Sequence, residues 1–100
     1  MKVLKIYAAG EIKIKEIDNT LKSLQTEVGG KIECVRLFAD DDITTLANEE
    51  GRILELPHNQ SISGVRGDVI IVGVAGEEFC DLPDSKIDTL LRIFKGEANE

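Results

Sequence analysis

The sequence predicts an α+β domain: a mostly antiparallel sheet of about five to six strands with two amphipathic helices on one face. Three observations support this prediction. Residues 11–17 alternate apolar and charged side chains, as a half-buried strand does. Residues 68–75 are apolar on both faces, which is typical of a central strand. Two further stretches repeat their apolar residues at helical spacing, and the segments between strands are short enough for antiparallel turns.

The N-terminal third predicts a hairpin followed by a helix. Residues 3–7 and 11–17 are its two strands, and the lysines of the second strand give the hairpin one wet face. Residues 18–20 are all good N-cap types, so one of them is expected to start the helix. Glycine readily adopts the left-handed conformation that ends helices, which places the end at Gly29 and Gly30. The buried face of this helix is expected to contain Ile17, Leu21, Leu24 and Val28.

The middle of the chain predicts three strands joined by tight turns. Residues 31–38 are expected to form the third strand and residues 43–47 the fourth. The turn at residues 48–51 contains Asn and Gly, which both tolerate positive φ. Residues 52–56 are then expected to return as a strand, which Pro57 ends because proline cannot donate to a β-ladder.

The C-terminal third predicts a loop, the central strand and the second helix. Residues 60–68 contain two glycines and two serines and are expected to form the loop. A turn at residues 76–78 follows the central strand, and Pro83 suits the first turn of a helix. Gly96 is expected to cap that helix, and the tail that ends at residue 100 is expected to fray. The apolar stripe of the helix is Ile87, Leu90, Leu91 and Phe94.

Length and composition exclude several classes of protein. One hundred residues are expected to form a single domain with one modest core. Lys and Arg number 12 against 19 Asp and Glu, a formal net charge of −7, so general nucleic-acid binding is not expected. No apolar run approaches the roughly 18 residues that a membrane helix needs, and no export signal is expected. Cys34 and Cys80 predict no zinc site, but either two thiols in a reducing cytoplasm or one bridge between them.

Short phrases along nearly the whole chain carry a family resemblance. They are EIDNTL at 16–21, LQ at 24–25, VGGKIE at 28–33, NEEG at 48–51, LPHN at 56–59, DVIIVG at 68–73 and DL at 81–82. In this order and spacing they resemble the family labelled domain of unknown function 3846, which bacterial phages, plasmids and other mobile elements carry. The resemblance implies an accessory protein in the bacterial host cytoplasm and brings no catalytic residues with it. The chain departs from the family pattern at Lys31, where an aromatic is common, and at Pro83, where a Ser or Thr cap is common.

No catalytic or metal-binding constellation is expected from the sequence, and no cofactor. A calcium loop that began in the acidic run 40–42 would need Gly and Glu where the chain has Thr45 and Gly51, so a solvated turn is the interpretation. The GxxG at residues 64–67 precedes a strand, unlike the helix-joining loop of a KH domain. His58 is the single histidine, and no triad can be argued from spacing alone.

The candidate binding residues are those that suit an anionic ligand. Residues 1–31 carry six Lys and four acidic residues, a net charge of +2, which leaves −9 for residues 32–100. Arg and Lys bind phosphate, and an amide beside a turn either caps that turn or faces a ligand. A structural or solvated role is the alternative for each of them. The candidates are Asn48, His58, Asn59, Arg66, Lys13 and Lys15.

Together these observations favour a small non-enzymatic binding protein of a phage or mobile element that counters host defence. It would act as a homo-oligomer that sequesters a small anionic, nucleotide-like ligand, or by blocking a host defence protein. One alternative is an acidic inhibitor that imitates DNA toward a host nuclease. A second is a small hydrolase that uses His58 with Asp or Glu partners, and a third is a regulatory module that positions partner domains.

Overall fold

The computed structural model describes residues 1–95, so the predicted Gly96 cap and the tail to residue 100 lie outside the described residues. Eight elements follow one another along the described chain. They are β1 (Lys2–Ile6), β2 (Ile12–Glu16), α1 (Leu21–Val28), β3 (Ile32–Val35), β4 (Ile43–Asn48), β5 (Val69–Ala75), β6 (Glu78–Cys80) and α2 (Asp84–Lys95). No helix within these bounds is both long and apolar enough to cross a bilayer.

The strands form one antiparallel sheet with β5 at its centre. The order is β2-β1-β5-β4-β3, and β6 pairs with the last residues of β5. Ile71 of β5 lies opposite Leu4 of β1 on one side and Thr45 of β4 on the other. All three residues are fully buried, as expected for the middle of a sheet that is covered on both faces. The predicted α+β class with a mostly antiparallel sheet is confirmed.

The two helices pack on opposite faces of this sheet, which corrects the expectation that both lie on one face. α1 buries Leu24 and Val28 in one apolar cluster, and α2 buries Ile87 and Leu90 in another. The physical reason lies in β5, which is apolar on both faces and therefore needs a cover on each. The α1 cluster adds Val3, Leu46, Ile70 and Val72, and the α2 cluster adds Leu4, Ile6, Ile43, Ala47, Ile62, Val69, Ile71 and Leu82.

α1 begins and ends where its capping residues predict. Thr20 is the N-cap, and its hydroxyl accepts a hydrogen bond from the backbone N–H of Ser23 at 3.2 Å. At the other end Gly29 adopts the left-handed conformation with φ of 81°, and its N–H donates to the Gln25 carbonyl at 2.8 Å. A side chain is strained at such a φ, which is why glycine marks this end of the helix.

The prediction of a strand at residues 52–56 is wrong. Residues 50–54 instead make a single helical turn, and the N–H of Leu56 donates back to the Gly51 carbonyl at 2.9 Å. This is the hydrogen bond of a Schellman ending, in which one residue is left-handed. Glu55 has that role with φ of 54°, although it is not glycine. The short apolar run was read as a strand because length and spacing do not separate the two structures in so few residues.

The predictions around the remaining strands need smaller corrections. β3 spans only Ile32–Val35, because the chain leaves the sheet well before residue 38. A hairpin that the sequence analysis missed brings β6 back along β5, with Glu78 opposite Ala75. The chain after β6 then crosses Gly73, where any Cβ would collide with the carbonyl oxygen of Asp81.

The two cysteines do not form the bridge that the sequence left open. Cys34 on β3 is exposed and Cys80 on β6 is half-buried, and both are free thiols. The protein therefore has the two-thiol arrangement that was the first of the two expectations.

Candidate functional site

A cleft of about 480 Å³ lies where the outer strands of the sheet meet the long segment between β4 and β5. This volume is within the roughly 300–1,000 Å³ of small-molecule sites. We call its two sides the strand wall and the loop wall. The strand wall consists of Glu33, Val35, Ala47, Asn48 and Glu49, and the loop wall consists of Gly51, Arg52, His58, Gly64, Val65 and Arg66.

Asn59 holds the loop wall in place from behind. Its side chain is buried, and its Oδ1 accepts hydrogen bonds from the N–H groups of Ser61 at 2.9 Å and Ile62 at 3.1 Å. Its Nδ2 donates to the carbonyls of Gly67 at 3.0 Å and Ile6 at 3.3 Å. One amide thus ties the loop to itself and to β1. Of the two roles considered for Asn59, the structure places its amide in the structural one, away from the cleft surface.

Asn48 lines the cleft, but its amide is also engaged by the fold. Nδ2 donates to the Val28 carbonyl at the end of α1 at 3.1 Å, and Oδ1 accepts from the N–H of Glu50 at 2.7 Å. Only 5% of the residue is exposed. Asn48 therefore joins α1 to the turn that follows β4. This turn connects the strand wall to the loop wall along the chain.

His58 and Arg66 face the cleft as neighbours. The two residues form an isolated antiparallel bridge, and directly opposite residues of such a pair project to the same side. Arg66 is half-buried, and its Nη1 donates to the Leu56 carbonyl at 3.2 Å, which fixes one edge of the guanidinium. Arg52 stands on the helical turn nearby and is exposed. The loop wall is therefore a basic surface in an acidic protein.

The acidic residues of the cleft belong to the opposite wall. Glu33 lies on β3, and Glu49 continues the strand pairing because its N–H donates to the Lys31 carbonyl at 2.7 Å. Both side chains are exposed at the cleft. Across residues 1–94, no salt bridge within 4.0 Å includes Glu33, Glu49 or either arginine of the loop wall.

Lys13 and Lys15 lie far from the cleft, on the hairpin of β1 and β2. Glu27 of α1 accepts hydrogen bonds from Lys15 Nζ at 2.9 Å and from Lys5 Nζ at 3.0 Å. Lys5 and Lys13 are opposite each other in the sheet, and their ammonium groups lie 4.8 and 5.9 Å from the centre of the Tyr7 ring. We call this set of five residues the hairpin network. It joins α1 to the sheet and offsets the repulsion between neighbouring lysines.

Protonation in the hairpin network follows from these contacts. Burial alone would raise the pKa of the Glu27 carboxyl, but the hydrogen bonds from Lys15 and Lys5 outweigh it and lower that pKa below the ordinary 4.5. The hydrogen bond that Lys15 donates to the same carboxylate raises the pKa of Lys15. Glu27 and Lys15 therefore each stabilise the charged form of the other.

Three other clefts of the described chain suit an anion less well. The largest, of about 740 Å³, is lined by Glu16, Asp18 and Glu27 with Lys22. A cleft of about 410 Å³ contains Arg36, but the nearby Asp41 holds that guanidinium at 2.9 Å. The smallest, of about 330 Å³, contains Lys5 and its carboxylate partners. In each case the cation is outnumbered or already paired.

Comparison with known proteins adds one match. The family model described as domain of unknown function (DUF3846) matches residues 1–95. The chain belongs to the DUF3846 family. No curated protein matches this DUF3846 chain, and no solved structure matches it.

The structure of this DUF3846 domain divides the six predicted binding residues among three places. Asn48, His58 and Arg66 come together at the cleft, Asn59 lies behind it, and the two lysines lie in the hairpin network. Sequence reasoning missed three cleft residues, namely Arg52, Glu33 and Glu49. Arg52 was missed because it was assigned to a strand, although a charged residue beside the NEEG turn was a usable signal.

Proposed function

We propose that this protein binds a small anionic, nucleotide-like ligand in the cleft without transforming it. One observation carries the proposal: Arg52 and Arg66 both line the cleft, and neither has a carboxylate partner among the described residues. Every Lys or Arg in the seven salt bridges, by contrast, is already within 4.0 Å of an acid. Arg52 keeps its donors for a ligand, and Arg66 keeps those that the Leu56 carbonyl does not use.

The chemistry of the loop wall supports a phosphate group as the anion. A planar guanidinium forms two parallel hydrogen bonds with a phosphate, and these charge-assisted bonds are about twice as strong as neutral ones. Arg66 is held on one edge by the Leu56 carbonyl, so little conformational freedom is lost when the other edge binds. His58, beside it, adds a ring N–H donor.

The proposal includes self-association of the protein. The strand wall includes Glu33 and Val35 of β3, which is an edge strand of the described sheet, so the cleft is open on that side. Next to the loop wall, Ile53 and Leu54 are 79% and 53% exposed. A second copy that covers these side chains would deepen the cleft and remove apolar surface from water.

We further propose that sequestration of the ligand serves a phage or mobile element against host defence in the bacterial cytoplasm. The family resemblance is the source of this setting. Native mass spectrometry of the protein isolated from infected cells tests it, with an oligomer that retains a phosphate-bearing molecule as the expected result. If the protein is instead isolated with a bound host defence protein and no small molecule, it acts by blocking that host protein and not by sequestering a ligand.

The binding proposal is tested by isothermal titration calorimetry with ADP and with inorganic pyrophosphate. We expect at least one of these probes to bind, and Arg66→Ala and Arg52→Ala each to weaken it about tenfold, the loss of one charge-assisted interaction. Arg92→Ala is the matched control, because Arg92 is exposed on α2 and does not line the cleft. Failure of both probes to bind, or equal loss in the control, would contradict the proposal.

The two alternative functions, an acidic inhibitor of a nuclease and a hydrolase, predict different results in binding and turnover experiments. Salt-sensitive binding to a basic nuclease, unchanged by Arg66→Ala, would support the acidic inhibitor that imitates DNA. Release of phosphate from ADP that His58→Ala abolishes would support the hydrolase. Nucleotide binding that persists at 0.3 M salt, with no turnover, is the result that the proposed function requires.

A further inference from the structure

The charges of the cleft are separated by sign in a way that a simple anion site would not need. Glu33 and Glu49 stand on the strand wall, and Arg52 and Arg66 stand on the loop wall. A site for a bare anion gains from cations and loses from every nearby carboxylate. Two carboxylates facing the same cleft therefore call for a ligand with two chemically different ends.

Neither the two glutamates nor the two arginines of the cleft form a salt bridge with a described side chain. Within residues 1–94 no salt bridge crosses the cleft, so the carboxylates keep their acceptor oxygens. Arg52 keeps its donors, and Arg66 keeps those that the Leu56 carbonyl does not use. In the hairpin network the opposite holds, because a single carboxylate of Glu27 accepts from two lysines. The cleft thus presents hydrogen-bond acceptors on one wall and donors on the other.

We propose that the cleft selects nucleotides whose base carries an exocyclic amino group, with the phosphates on the loop wall and the amino group on Glu33 or Glu49. This specificity rests on the proposed function. A carboxylate accepts hydrogen bonds from an amino group such as that of cytosine. Uracil has a carbonyl oxygen at the same position, so the same carboxylate repels it. Glu33 and Glu49 are in this role the specificity-determining residues.

The inference predicts effects of opposite sign when the carboxylates are neutralised. For inorganic pyrophosphate, the carboxylates contribute only repulsion, so their removal tightens binding. For an amino-bearing nucleotide, the same removal loses a charge-assisted hydrogen bond. A cleft in which the acids were only a solvated surface would respond to all anions in the same direction.

The test is calorimetry of the full chain with CDP, UDP and pyrophosphate at 0.15 M salt. For the wild type we expect CDP to bind about tenfold more tightly than UDP. In the double variant Glu33→Gln and Glu49→Gln, we expect that ratio to fall to about one while pyrophosphate binds severalfold more tightly. Glu78→Gln on β6 is the control, because this glutamate is exposed and lies outside the cleft. Thermal unfolding of each variant shows that it is folded.

Two results separate failure of this inference from failure of the proposed function. If the probes bind and depend on Arg66, but the double variant tightens CDP, UDP and pyrophosphate by the same factor, the specificity is refuted and the binding site stands. An unchanged CDP to UDP ratio in the double variant has the same meaning. If CDP, UDP, pyrophosphate and ADP all fail to bind the wild type, the proposed function fails and the specificity fails with it.

Discussion

The hairpin network and the cleft contain the same types of charged residue, but these residues are paired in the hairpin network and unpaired in the cleft. In the hairpin network, Lys5 and Lys15 meet Glu27 at 3.0 and 2.9 Å, with side chains that are 10%, 33% and 12% exposed. In the cleft, Arg52 and Glu33 are exposed and make no salt bridge with the side chains of residues 1–94. Paired and buried charges hold elements together, whereas unpaired charges in a cavity have their interactions still to make. The unpaired arginines of the cleft are therefore the residues to test for ligand binding, and the paired lysines of the hairpin network are not.

The largest expected effect falls on the residue that supports the cleft rather than on one that lines it. Asn59→Ala removes four hydrogen bonds at a buried position and leaves the carbonyls of Ile6 and Gly67 with fewer partners. We expect the free energy of unfolding to fall by about 4 kcal/mol, since each of the four bonds contributes about 1 kcal/mol. Urea denaturation measures it. Asn19→Ala, which removes one exposed hydrogen bond to the Phe79 carbonyl, is the control and should cost under about 1 kcal/mol.

Neutralising the carboxylate of the hairpin network comes next. Glu27→Gln leaves the buried ammonium of Lys5 with only Asp68, at 3.8 Å. We expect a loss of about 2 kcal/mol, less than for a fully buried pair because the network borders solvent. The same change at Glu49 in the cleft should cost under about 0.5 kcal/mol. Equal losses at the two positions would remove the distinction between the two regions.

The dependence of stability on pH should also differ between Glu27 of the hairpin network and Glu49 of the cleft. Because the pKa of Glu27 is lowered in the folded state, its contribution to stability is present above the ordinary value of 4.5 and is lost as pH falls toward the folded pKa. Melting temperatures between pH 7 and pH 3 should therefore fall less steeply for Glu27→Gln than for the wild type. Glu49→Gln should retain the wild-type slope. A Glu27→Gln profile parallel to that of the wild type would argue against the network.

A substitution in the turn that contains Arg52 is expected to stabilise the protein. Glu55 occupies a left-handed conformation at φ of 54°, where glycine is free of strain. We expect Glu55→Gly to raise the free energy of unfolding by up to about 1 kcal/mol without loss of nucleotide binding. The same substitution at Ala75, at the end of β5, should not stabilise the protein. A destabilised Glu55→Gly variant would show that the glutamate side chain has a role of its own.

The smallest effect on stability is expected for Arg52, one of the two arginines proposed to bind the ligand. Arg52→Ala should change the free energy of unfolding by under about 0.5 kcal/mol, because the side chain is exposed and makes no salt bridge with a described residue. Chemical denaturation in the absence of nucleotide measures this. A loss above 1 kcal/mol would mean that Arg52 supports the fold, which would weaken its assignment to a ligand.

Much of the fold follows from local signals in the sequence. The strand within residues 11–17, the N-cap within residues 18–20 and the left-handed Gly29 each depend on a few neighbouring residues, and each is confirmed. The expected alternation of burial along that strand is wrong, because Ile14 is 53% exposed while Lys15 is half-buried against Glu27 of α1. The apolar residues of β5 lie on both faces of the strand, which also indicates a helical layer on each face of the sheet. The prediction of both helices on one face is inconsistent with that pattern.

The cleft could be predicted only in part, because its walls come from segments far apart in the sequence. His58 and Arg66 were identified by residue type, and the antiparallel bridge between them needed coordinates. Asn59 was named for the right reason, a capping amide after Leu-Pro, but spacing alone did not show on which side of the loop it would act. Arg52 depended on recognising a helical turn held by a left-handed glutamate, and residue type argues against that conformation.

The central position of β5 also determines when the sheet can be completed during synthesis. The hairpin of β1 and β2 and the pair of β3 and β4 are both translated before β5, yet they meet only through it. Until residue 75 has left the ribosome, each pair has an apolar edge with nothing beside it, a state prone to aggregation. Folding is therefore a late, long-range event, and nascent chains that end before β5 should depend on chaperones.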